Sequence, residues 1–103
     1  MEISRLVQQY EDAVISLRRD FHRHPELSNQ ESRTSARVCE ELDKLGIPYE
    51  RLDNHCVAAW LVGGKAGEDS RKIAIRADMD ALPIVEETGL EFQSANKGVM
   101  HAC

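Results

Sequence analysis

Basic charge is in short supply here: 13 Lys and Arg stand against 18 Asp and Glu, for a net charge of −5. Without a basic stripe, binding to a nucleic-acid backbone has little electrostatic footing. Long apolar runs are missing too. Nothing approaches the ~20 consecutive apolar residues that span a bilayer, and the opening MEISRLVQQYEDAV is too polar and acidic for a signal peptide. Cysteine is sparse: Cys39, Cys56 and Cys103 are an odd number at loose spacing. That argues against a disulfide scaffold and for reduced thiols in a cytoplasmic protein. What remains is a globular composition, 42% hydrophobic and 30% charged over 103 residues, suited to one small domain, residues 1–103. A chain this short buries roughly 60–65% of its unfolded surface, enough for one modest core.

Periodicity organises the first half. Ile3, Val7, Tyr10, Val14, Leu17 and Phe21 recur every three or four residues, with Leu6 widening the stripe, and predict a helix. Pro25 disfavours helical geometry at His24 and ends it. Ser28 and Glu31 have capping-box spacing and predict the start of a second helix. Its inner face carries Ser35, Val38, Cys39, Leu42 and Leu45, and Gly46 and Pro48 stop it. The period then becomes strand-like in IPYERL, CVAAWLVG and KIAIRA, separated by turns, before a mostly irregular tail. Trp60 and Cys56 in the apolar run read as core residues, like Cys39 on helix two. Apolar residues on both strand faces suit a sheet covered by helices. The predicted fold is α/β: two N-terminal helices packed on a small mixed sheet.

Two stretches could carry chemistry. In KIAIRADMDALP a strand delivers Asp78 and Asp80 at its carboxyl end and breaks at Pro83. Such strand ends are where open α/β sheets place their sites. Two carboxylates on one side of an extended chain repel unless a cation, a histidine or a shared proton intervenes. An isolated Asp-x-Asp more often just shapes a turn. The closing His101-Ala102-Cys103 offers an imidazole and a thiol, both good donors to Zn²⁺, Mn²⁺, Co²⁺ or Ni²⁺. Two donors do not make a site, because catalytic zinc usually keeps three protein ligands and a water. His22 and His24 lie about 200° apart on a helix and cannot share a metal there; HRHPE reads as a helix-ending packing element. His55 falls in a polar turn.

Together, LRRDFHRHPELSNQE and KIAIRADMDALPIVEETGLEFQSANKGVMHAC resemble the metal-dependent amidohydrolases. These form the branch of the aminoacylase and carboxypeptidase superfamily that includes hippurate hydrolase, N-acyl-amino-acid amidohydrolase and indole-acetyl-amino-acid hydrolase. The likeness runs from about Leu17 to Cys103. In that family the closing phrase continues as Gly-His-Asp, with the cysteine and the later histidine as metal ligands. The resemblance therefore implies that Cys103 is a metal ligand. It implies that Asp80 is the catalytic-site aspartate that orients a ligand, in the superfamily's His-x-Asp-x-x-Pro phrase. Asp78 falls where other branches place a ligand histidine, and His101 takes a supporting position behind the ligands.

On this resemblance the chain is the incomplete N-terminal part of a metallopeptidase-like catalytic domain. The second ligand of the phrase, the paired glutamates, the later histidines and the lid or dimerisation domain are missing from it. The complete enzyme is expected to hydrolyse a small-molecule N-acyl amino acid to an amino acid and a carboxylic acid, as a homodimer with no membrane or nucleic-acid partner. The isolated chain is expected to be inactive. A non-catalytic α/β interaction module that retains the scaffold is the competing reading, and a site completed by a separate chain is a third.

Overall fold

The computed structural model describes residues 2–103. Helix α1 spans Ile3–Arg23 and α2 spans Ser32–Leu45. Strands β1, Tyr49–Arg51, and β2, Val57–Ala59, flank a single turn of 3-10 helix at Asp53–His55. The strands pair antiparallel in the register Tyr49↔Ala59, Glu50↔Ala58 and Arg51↔Val57, and α2 packs against β2. Beyond this hairpin come two isolated bridges, parallel between Leu27 and Ala81 and antiparallel between Leu82 and Met100. Two helices beside a small sheet agree with the predicted α/β class, although the named sheet is purely antiparallel.

Local signals set both helix ends. α1 stops one residue before His24, where the ring of Pro25 forbids another turn. α2 stops at Gly46, whose φ of 66° is the left-handed value that a side chain resists. The start of α2 differs from expectation: no Ser28–Glu31 capping box forms. The Glu26 carboxylate does the capping instead. It accepts the Arg33 and Thr34 amides at 3.1 and 2.6 Å and the Thr34 hydroxyl at 2.8 Å. These donors hold its carboxyl below the ordinary range despite the opposing effect of burial, which is the largest single influence. A turn at 27–30 carries Ser28 outward, which leaves the free amides at the helix start to Glu26.

A second ion-pair knot ties the helices together. Asp20, in the last turn of α1, accepts Arg33 Nη2 on both carboxylate oxygens, at 2.8 and 3.0 Å, with Arg37 3.6 Å away. The Arg33 hydrogen bond is the main reason the Asp20 carboxyl lies below its ordinary range. The 23–26 stretch then docks the tail through main-chain carbonyls. Arg23 O accepts the Ala95 amide, Pro25 O accepts Asn96 Nδ2, and Glu26 O accepts the Ala81 amide at 2.8 Å.

The apolar core is thin: Cys39, Ala81 and Val99 are its buried hydrophobic members, beside buried Thr34 and Ser35. The Cα radius of gyration is 16.2 Å, above the ~13 Å of a compact chain of this length. KIAIRA is not a strand here, and Ile73 and Ile75 are 91% and 94% exposed. Pairing defines a strand, and among the described residues nothing pairs with 72–77. Trp60 is half exposed and Cys56 is exposed, so neither is a core residue in this structure. The N-terminal part of the α1 stripe, Ile3, Val7, Tyr10 and Val14, is likewise uncovered.

Candidate active-site segment

Leu82 and Met100 exchange both main-chain hydrogen bonds, at 3.0 and 2.9 Å. That is the mutually bonded pair of an antiparallel ladder. Asp80 lies two residues before Leu82 and Ala102 two residues after Met100, so the bridge brings the stretch through Asp80 alongside the one that carries His101-Ala102-Cys103. The turn that aims the phrase is Asn96–Val99, closed by the Val99 amide on Asn96 O at 3.1 Å. Gly98 takes φ 81° there, a conformation that favours glycine at the third turn position.

The four sequence-predicted residues are unequal. Asp80 and Cys103 are exposed, and the Cys103 thiol is free. His101 is half-buried, and its Nε2 is buried without a hydrogen-bond partner. Burial first, then neighbouring His22, pushes the His101 imidazole below its ordinary pKa, with the Asp80 carboxylate pulling the other way. Asp80 is thus close enough to His101 to act on it electrostatically. Asp78 stands apart: its carboxylate accepts Arg76 Nε and Nη2 at 3.2 and 3.0 Å and is 70% exposed.

Beneath this segment lies a polar cluster that the sequence did not announce. His22 is buried, as a packing element should be, but its Nε2 hydrogen-bonds Glu86 Oε1 at 2.9 Å. The same oxygen accepts the Ser94 amide at 2.8 Å, and Oε2 accepts the Thr88 hydroxyl. The partners are 64 residues apart, so no local spacing could reveal the pairing. His24, by contrast, folds back on the Asp20 carbonyl of its own helix at 3.0 Å.

A metal is not held by these residues alone. Cys103 offers one soft donor, but among the described residues no three His, Cys, Asp or Glu side chains converge on a point. The orphaned Nε2 of His101 and the unpaired thiol of Cys103 are the groups at this segment still open to a partner. Among the described residues no helix is long and apolar enough to cross a membrane.

No protein-family profile matches the chain, but individual proteins do. It is 50% identical over 99% of its length to an N-acyl-L-amino acid amidohydrolase of Geobacillus stearothermophilus, covering 27% of that protein. It is 48% identical over 94% of its length to thermostable carboxypeptidase 1 of Saccharolobus solfataricus, covering 24% of it. Among solved structures, a dinuclear metal binding peptidase from the M20 family of Bacillus subtilis superposes with a TM-score of 0.84 at 42% identity. That match covers 93% of this chain and 27% of the other. The chain therefore spans about a quarter of the length of the relatives it matches. Along nearly its whole length it is a homologue of amidohydrolases and M20 family metallopeptidases, and its α/β fold is that of the matching stretch of the M20 structure.

Proposed function

We propose that residues 1–103 are one portion of the catalytic domain of a metal-dependent amidohydrolase that splits N-acyl amino acids into an amino acid and a carboxylic acid. The observation that supports this reading is the Leu82–Met100 bridge, which joins the stretch that follows Asp80 to the one that leads into Cys103. In it, Cys103 is a ligand to a divalent ion (zinc, manganese, cobalt or nickel), Asp80 orients the site, and Asp78 and His101 support it from behind. The remaining ligands and the proton-shuttling carboxylate come from outside these residues. Such an ion polarises an amide carbonyl for attack by water. The whole protein is assigned a cytoplasmic location and a homodimeric state, the first from its reduced-thiol composition and the second by family likeness.

The test is hydrolysis of a panel of N-acyl amino acids, followed by release of the free amine. The 103-residue chain is expected to be inactive with any of the four metals. The protein at the length of its relatives should be active, lose activity to a chelator, and lose it on Cys103→Ala. Activity of the short chain, or chelator-resistant activity of the long one, would overturn the reading.

A further inference from the structure

Glu86 is an acidic side chain only 4% exposed, and its histidine partner is 10% exposed. Burying a carboxylate is costly unless donors surround it. Here three do so: the Thr88 hydroxyl, the Ser94 amide and His22 Nε2. Together, Thr88 foremost, they hold the Glu86 carboxyl down at about 2 against the opposing effect of burial. Aromatic packing adds to the cluster, for the Phe92 ring stands edge-on to His22 at 5.8 Å and Arg19 caps Phe92 at 4.8 Å. An apolar pair of equal volume would fill the space as well. What it would not provide is direction, because a carboxylate oxygen shared by two N–H groups fixes where each donor's backbone lies.

The contact continues toward the candidate site. Ser94, whose amide Glu86 holds, turns its hydroxyl onto Val99 O at 2.7 Å and Asn96 O at 2.9 Å, and accepts the Asn96 amide at 3.1 Å. Those contacts close the 96–99 turn. Val99 is buried, and the next residue, Met100, pairs with Leu82. Hydrogen bonds linked through Ser94 and the Val99–Met100 peptide therefore lead from the last turn of α1 to the residue that precedes the phrase.

We propose that His22 and Glu86 are a positioning pair for His101-Ala102-Cys103: through Ser94 they set the 94–99 turn, so that the phrase leaves it alongside Asp80. The purpose of the phrase rests on the metallohydrolase reading above, but the geometry does not. Neither residue touches a reacting atom; both act through the turn.

The test uses the 103-residue chain and two site-resolved readouts. One is amide hydrogen exchange at Leu82 and Met100. The other is the rate of iodoacetamide alkylation at Cys103, mapped by peptide mass, with buried Cys39 reporting whether the whole chain has opened. Glu86→Ala is expected to speed Met100 exchange by roughly tenfold or more and to change the Cys103 rate, leaving Cys39 slow. Glu86→Gln keeps an acceptor oxygen for both N–H groups and should restore protection at Met100. Should Glu86→Ala unfold the chain, shown by fast Cys39, His22→Phe decides. It preserves a ring against Phe92 and deletes only the donor, and it should still loosen Met100. Unchanged Met100 exchange in His22→Phe, or failure of Glu86→Gln to restore it, overturns the pairing. The hydrolysis assay scores the metal reading separately, so either idea can fail alone.

Discussion

Residues 20–47 and 81–101 interlock through polar contacts, whereas residues 3–15 and 60–77 carry apolar side chains with little to cover them. In the first region Asp20 clamps α2, Glu26 caps it, and Glu86 joins α1 to the tail. In the second, Ile3, Val7, Tyr10 and Val14 on α1 and Leu61, Val62, Ile73 and Ile75 beyond β2 are all more than half exposed. Apolar burial is the main driving force in folding, so the second region has the material for a core without the assembly. Short-range and directional interactions hold the first region together with three buried hydrophobic side chains. Specificity of shape and bulk of core are separate contributions in this molecule, and different stretches of chain supply them.

Substitutions can break that contrast. Ala81 is 4% exposed and lies against the 23–27 stretch; Ala81→Leu should overpack it and cost ~1–3 kcal/mol in a urea melt. Glu26→Ala strips the start of α2 of its acceptor, with an expected loss of ~1–2 kcal/mol on the same measurement. Third comes acid. Folding holds the Glu86 carboxyl at about 2, below its ordinary 4.5. Its stabilisation is therefore complete above the unfolded value and is lost as pH falls from there toward the folded value. Melts taken across that window should flatten in Glu86→Gln. The smallest effect belongs to the uncovered region. Ile73→Lys with Ile75→Lys should leave stability within ~0.5 kcal/mol while reducing self-association in sedimentation runs, because exposed apolar patches drive it. A large loss of stability from that pair would mean 72–77 is already part of a core, and the contrast would dissolve.

Local chemistry was legible in the sequence; long-range pairing was not. The spacing of apolar residues, Pro25 and Gly46 were enough to place both helices, because each acts within a turn of itself. The capping of α2 is not legible because Glu26 and Ser28 are both near enough to serve, and the turn at 27–30 decides between them. KIAIRA has a strand's composition, yet a strand exists only with a neighbour. That Asp80 and His101-Ala102-Cys103 belong to one site is implied by family likeness and not by spacing, and the Leu82–Met100 bridge is the contact that joins their two stretches of chain. Nothing in HRHPE distinguishes a buried histidine packed against hydrocarbon from one bonded to a carboxylate 64 residues away.

Pro25 has an effect beyond stopping α1. Had the helix run on, the carbonyls of Arg23, Pro25 and Glu26 would have turned inward to serve its own following turns. Released instead, they form a row of acceptors on which Ala95, Asn96 and Ala81 settle. The chain breaker is therefore also the template: the interruption of one element creates the berth for a segment some seventy residues later.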